Sequence, residues 1–292
     1  MSAQVVYAGL AAPPRRKSRS WNKFKRNRSA MLGGLVVLFF VLVAICAPLL
    51  AGYDPVQVSF STIRKAPSAL HWFGTDELGR DIFSRMVYGT RASLMAGMAS
   101  VLIALAVGVP FGLSAGYFGG WIDGCISRVT EALFSIPFLI LAIALAAFLG
   151  PSLINAMIAI GVSAAPLFIR LTRGQVLSIK NEDYVQSTRS LGASNTRIVV
   201  RHILPNIMPA LIVQATILIA SAIIAEASLS FLGLGLQPPN PSWGSMLNTA
   251  KNFMTQAPWM SVFPGSAIFL VVFGFNLLGD GLRDALDPRQ DS

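Results

Sequence analysis

Charge is scarce in this chain. Asp, Glu, Lys and Arg make up 12% of its 292 residues, against about a quarter in a soluble domain. So little charge argues against a soluble enzyme and against a disordered chain. The two cysteines, Cys46 and Cys125, are too few for a disulfide framework. Both sit in or beside apolar runs, where they read as small packing residues rather than redox or metal groups. No Gly-x-x-x-x-Gly-Lys-Ser/Thr run occurs, so the chain carries no phosphate-binding loop of that kind. No nucleophile with a neighbouring base stands out. Sustained alternation of polar and apolar residues is also missing, which argues against a membrane β-barrel.

What is present is apolar: 54% of residues are hydrophobic and the mean hydropathy is +0.62. Crossing a hydrocarbon layer about 30 Å thick takes roughly 20 apolar helical residues. Runs of that size predict spans over Ser29 to Tyr53, Ala92 to Ile122, Ile207 to Leu229 and Met260 to Leu278. The run Ala132 to Ile169 holds 38 uncharged residues. It is read as two spans turned at Gly150-Pro151-Ser152. The prediction is an all-α membrane protein of six transmembrane helices, since lipid leaves no exposed backbone group unpaired. Pro110, Pro137 and Pro264 are expected to kink their helices locally. The small-residue content of the spans permits close helix packing.

The net charge of +10 does not point to nucleic acid, because the basic residues cluster at the ends of apolar runs. Such flanks fix topology and face anionic membrane lipid. With the N-terminus inside, seventeen of the 23 Lys and Arg fall on the cytoplasmic side and six outside, so both termini are expected in the cytoplasm. The first apolar run is too long for a cleaved signal peptide and is read as a retained helix. Residues 1–29 form a basic cytoplasmic tail. Residues 30–91 hold the first span and an extracytoplasmic segment. Residues 92–292 hold a five-helix core with a cytoplasmic loop at about 172–206 and a C-terminal tail.

That loop is a polar stretch of about 35 residues, far longer than an ordinary connection. Asn181 is expected to cap a short helix whose first turn carries Glu182 and Asp183. Gly192 ends it, since glycine reaches left-handed dihedrals without strain. Ser194 caps a second helix, and Pro205 starts the return into the membrane. The pattern reads as helix, glycine turn, helix, projecting as a docking element.

The stretch resembles the coupling loop of bacterial ABC importer permeases, whose core is Glu-Ala-Ala, three residues, Gly, then a distant Ile-x-Leu-Pro. Gly192, followed by Ala193, and Leu204-Pro205 match at the right spacing. Gln186, Ser187 and Thr188 stand at the Glu-Ala-Ala positions, and His202 at the Ile position. Three further stretches resemble the dipeptide and oligopeptide permeases within that group. They are Gly74-Thr75-Asp76…Gly79-Arg80-Asp81, then Ser228 to Gly235 with Gln237 to Gly244, and Phe275 to Pro288. With the motifs in this order, the chain is similar to the C-type permease subunit. The resemblance implies a type I ABC importer permease fold in the bacterial inner membrane, working by alternating access. It implies a homologous permease subunit, two ATP-binding subunits carrying ATP and Mg²⁺, and an extracytoplasmic solute-binding protein that sets selectivity. It implies no cofactor in this chain.

Single residues are read beside that. Asp76, Glu77 and Asp81 are expected to pair with Arg80 and Arg85 or to cap, rather than to bind metal with His71, and Thr75 is expected to cap an outer helix. His202 should lie on the opposite side of the membrane from His71. Glu131 is expected to pair with Arg128. Glu226 is an ionisable group inside a span, where such groups usually face a cavity or a partner. It either lines the pathway and meets a substrate amine, or snorkels, or pairs with the neighbouring permease. The expected function is import of dipeptides or oligopeptides, with glutathione or nickel import as alternatives. An ion-coupled secondary transporter would call for inverted repeats and paired midplane charges, and a membrane-embedded hydrolase for a catalytic set within the spans. Neither is visible.

Overall fold

A computed structural model describes residues 27–286. The basic tail up to residue 26, together with Asp287, Pro288 and Arg289, lies outside the described residues. The elements are helical apart from one isolated bridge between Thr75 and Asp81. In order they are α1 (Arg28–Ile45), α2 (Ala47–Leu50), α3 (Ile82–Phe118), α4 (Gly120–Phe134), α5 (Phe138–Leu149) and α6 (Leu153–Ile179). Then come α7 (Asp183–Ser190), α8 (Asn195–Ile198), α9 (Leu204–Phe231), α10 (Trp243–Ala250) and α11 (Trp259–Leu286). A π turn, Val199–Ile203, joins α8 to α9 without a break.

Five of these helical runs are long and apolar enough to cross a membrane, and α4 with α5 makes a sixth if that bent pair is one crossing. The third expected span is therefore corrected. Its helix stops at Phe134 and restarts at Phe138 after a bend of 91°. Pro137 causes the break, because a proline disfavours helical dihedrals in the residue before it. Pro110 and Pro264 remain inside α3 and α11, as do Pro166 in α6 and Pro209 in α9.

The first span is also shorter than its apolar run, since α1 ends at Ile45 and Pro48 follows in α2. Pro48 has no N–H for the Ala44 carbonyl four residues back. Arg91 supplies the missing donor from α3, with Nε 2.6 Å from Ala44 O and Nη2 3.2 Å from Ile45 O.

Helix α3 has 37 residues, about 55 Å at 1.5 Å each. It starts ten residues before the second expected span and pairs most extensively with α6. The reason is a seam of glycines. A Cβ at Gly108, Gly112 or Gly116 would stand 2.5, 2.6 or 2.7 Å from the Cβ of Phe168, Thr172 or Val176. Small residues every four positions let two membrane helices approach backbone to backbone, where dispersion supplies the attraction. Helix α11 packs along α1 and α9, and α9 also packs on α3.

The segment between α2 and α3 is not helical in its second half, so Thr75 caps no helix. Its hydroxyl instead donates to Thr62 O and accepts from Lys65 N. Gly74 and Gly79, with φ of 76° and 74°, turn the chain, and the Asp76 carboxylate accepts from the Leu78 and Arg80 amides. The N-cap of α3 is Asp81, which accepts from Ser84 N at 2.8 Å and lies 2.9 Å from His71 Nδ1. The expected ion pairs are present: Arg80 reaches Asp76 at 2.7 Å and Glu77 at 2.5 Å, and Arg85 reaches Asp76 at 3.3 Å. Burial first, and then the neighbouring Asp76, pushes the Glu77 carboxyl above its ordinary range despite Arg80.

Gly112→Leu should force α3 from α6 and lower the thermal midpoint of the purified chain, with a loss of roughly 1–3 kcal/mol as in overpacked cores. Gly124→Leu, where a Cβ meets nothing within 4 Å, should leave the midpoint unchanged in the same melt.

Candidate functional site

The polar stretch between α6 and α9 folds as two short helices around a glycine. The first, α7, is one residue shorter than expected. Glu182, not Asn181, is its N-cap, and no side chain bonds the free amides there. Asp183 still places a carboxylate in the first turn, the sign the helix dipole favours. At the far end, Gly192 has φ +78°. Its amide donates to Arg189 O at 3.0 Å and that of Ala193 to Thr188 O at 3.3 Å. This is the paired closure of a Schellman turn, which satisfies the last carbonyls of α7. Ser194 then caps α8, accepting from Arg197 N at 3.4 Å.

The turn presents its polar side outward. Gln186, Ser187 and Gly192 are exposed and Thr188 is half-buried. Asp183, Gln186, Ser187, Ser190 and Leu191 line an open depression of ≈ 570 Å³. Leu191, 88% exposed, is an apolar knob on its rim. The inner side is apolar. Val185, Ile198 and Ile203 are buried in one cluster with Tyr117 of α3 and Val176 of α6, and Ala193 and Leu204 pack at its edge. Pro205 is exposed and follows the π turn directly, at the second residue of α9. The residues named from sequence thus fall into two sets. Gln186 and Ser187 line the outer surface with Thr188 half-buried beside them, whereas Gly192, Ala193, Leu204 and Pro205 shape the turn and its return.

Sequence reasoning missed how the turn is fastened. Tyr117 Oη donates to Asn195 Oδ1 at 2.8 Å, and Arg189 Nη2 donates to Tyr117 Oη at 3.3 Å. Lys180 Nζ donates to Gly116 O at 2.9 Å, one of the free carbonyls at the end of α3. Arg173 of α6 holds Asp123 of α4 in a two-toothed ion pair at 2.5 and 2.8 Å. The available signal was a tyrosine closing a glycine-rich helix end and an asparagine just after the cap Ser194. The pair Arg128 and Glu131 is present at 3.5 Å, on an exposed face.

Glu226 is 0% exposed within this chain. Its Oε1 accepts from Ser230 Oγ at 2.7 Å and its Oε2 from Ser93 Oγ of α3 at 3.3 Å. Ser242 Oγ reaches Ser230 Oγ at 3.5 Å, and the Trp243 amide donates to Ser93 Oγ at 3.4 Å. Trp243, fully buried, donates its indole N–H to Met86 O at 3.2 Å and meets the Phe40 ring edge-on. The carboxyl therefore ties α9, α3 and the start of α10 together. The Ser93 donor was not legible beforehand, because it lies 133 positions away in the chain.

No group of three or more His, Cys, Asp or Glu side chains is placed to hold a metal among the described residues. What the geometry offers is an ordered polar turn at one end of a bundle of membrane-length helices.

The comparisons agree with that architecture. Residues 108–292 match the family described as binding-protein-dependent transport system inner membrane component, and residues 18–67 match the N-terminal transmembrane domain of oligopeptide transport permease C. The dipeptide transport system permease protein DppC of Alkalihalophilus pseudofirmus is 48% identical over 94% of this chain and 90% of its own length. The glutathione transport system permease protein GsiD of Pectobacterium atrosepticum is 46% identical over 93% and 91%. A chain of the inward-facing MetNI methionine ABC transporter, 21% identical, superimposes with a TM-score of 0.57 over 70% of this chain and 98% of its own, a likeness of fold. The chain therefore belongs to the binding-protein-dependent transport system inner membrane component family, as an ABC transporter permease of the oligopeptide permease C kind.

Proposed function

We propose that this chain is one of two homologous permease subunits of an ATP-driven importer for dipeptides or oligopeptides in the inner membrane. It crosses six times, with α4 and α5 as one crossing, in a type I importer arrangement. Both termini and residues 170–201 face the cytoplasm, and Gln237 to Trp259 face outward. Two ATP-binding subunits hold ATP and Mg²⁺, and a solute-binding protein delivers the cargo from outside. The observation that carries this reading is the capped helix–Gly192–helix turn, an ordered surface too polar for lipid and backed by the ends of α3 and α6. Glutathione is a second reading, favoured by the 46% identity to a glutathione permease. It is itself a small peptide, so it fits the same class of cargo.

In this mechanism the turn seats on an ATPase. Closure of the two ATPases on ATP pushes α7 and α8, and the glycine seam makes α3 and α6 follow as one body. Rocking of that body against its counterpart opens the path to one side and then the other. Glu226 enters as an internal brace for the outer half of α9.

Orientation is tested by cysteine labelling in cells, with Cys46 and Cys125 replaced by Ala. An impermeant reagent should label Asn240→Cys and leave Arg189→Cys unlabelled until the cells are opened. At Gly192, a Cβ meets nothing within 4 Å, so the cost of a side chain lies wholly in the left-handed backbone. Gly192→Val should lose roughly 1 kcal/mol or more there, with spans inserted but ATPase recovery or ATP-driven peptide uptake reduced. Gly192→Ala should be milder in the same assays. Glu226→Ala leaves two serine hydroxyls without their acceptor and should lower the thermal midpoint, with a stability loss of about 1–3 kcal/mol on the scale for buried polar groups. Glu226→Gln keeps an acceptor oxygen and should stay close to the wild type.

A further inference from the structure

One side chain fastens both arms of the projecting turn to the end of α3. Tyr117 is 7% exposed. Its hydroxyl donates to Asn195 Oδ1, on the first residue of α8, at 2.8 Å. The same oxygen accepts from Arg189, in the last turn of α7, at 3.3 Å, and that guanidinium lies 5.7 Å from the centre of the phenol ring. A single phenol therefore touches the helix on each side of Gly192. Apolar burial of Val185 and Ile198 also holds the turn, but apolar contact has no direction and permits sliding. A hydrogen bond of 2.8 Å is directional and fixes one register.

What Tyr117 fastens the turn to is a continuous lever. The glycine seam locks α3 to α6, and Lys180 caps Gly116 O beside Tyr117. At its other end α3 begins at Asp81, and Arg85 there donates to Pro55 O at 2.8 Å and Pro239 O at 3.3 Å. The two loops at that end thus hang from the same helix whose last turn carries Tyr117.

We propose that Tyr117 is a positioning residue that registers the turn to α3, so that a displacement of α7 and α8 passes along α3 to the loops at 51–81 and 232–242. The inference rests on reading the turn as the ATPase dock. The hydroxyl carries the effect and the ring contributes stability. Asn195 is exposed, so it can be changed without opening the core.

The test compares Tyr117→Phe, Asn195→Leu and Asn195→Asp in the full importer complex, scoring ATPase recovery, ATP hydrolysis and solute uptake together. The wild-type complex first shows whether uptake is ATP-driven, which decides the functional reading by itself. Uptake per ATP should fall about fivefold in Tyr117→Phe and Asn195→Leu, the equivalent of one ordinary hydrogen bond, with ATPase recovery unchanged. Asn195→Asp, which keeps an acceptor for the phenol, should retain wild-type coupling. Amide exchange on the full chain reads the joint without transport and should quicken about fivefold over residues 195–198 in Tyr117→Phe. Unchanged exchange in Tyr117→Phe would overturn the joint. Unchanged uptake per ATP in Tyr117→Phe and Asn195→Leu, or an equal loss in Asn195→Asp and Asn195→Leu, would overturn its role in coupling.

Discussion

Backbone contact between α3 and α6 is the constraint on which the rest of this molecule depends. In a bilayer, apolar side chains gain nothing by leaving lipid for protein, so helices must be held by close packing and by polar contacts. Gly108, Gly112 and Gly116 remove the side chains that would keep the two helices apart. The ends of α3 and α6 then arrive together at the turn, and Tyr117, Gly116 and Lys180 become neighbours. Without that approach, the apolar floor of Val185, Ile198 and Val176 would have no roof.

The stop at Pro48, the end of α3 and the buried carboxyl of Glu226 are each answered by a polar side chain. Pro48 strands the Ala44 carbonyl, and Arg91 bonds it. Helix α3 ends with free carbonyls, and Lys180 bonds one. Glu226 places a carboxyl inside the bundle, and serines from α3 and α9 surround it. These repairs follow one rule: an unmet polar group in a low-dielectric interior costs far more than the net worth of a hydrogen bond in water. They also fix register, since a donor one turn away would miss its acceptor.

The turn itself is built from local chemistry. Gly192 closes α7 with two backbone bonds, and Ser194 opens α8 with a side-chain bond. Neither needs the membrane helices. Its direction does need them, because Tyr117 and the buried cluster choose which face of each short helix looks outward. Local capping thus makes the element, and tertiary packing aims it.

The sequence by itself determined the helical class, the approximate spans, the turn at Gly192 and the capping by Ser194. All of these follow from short-range causes: hydropathy over a helix length, left-handed glycine and hydroxyl capping. It also carried the pairs Arg80–Asp76 and Arg128–Glu131, whose partners lie within four residues. Tertiary structure decided the rest. The cap of α3 moved to Asp81 because two glycine turns folded the preceding segment back. The third expected span broke at Pro137, where hydropathy showed only a continuous apolar run. Glu226 and Tyr117 acquired their partners from residues 133 and 78 positions away. Hydropathy places a residue in a span but says nothing of which neighbour faces it. That depends on the rotation and separation of packed helices, and here glycines on one helix meeting bulky residues on another set both.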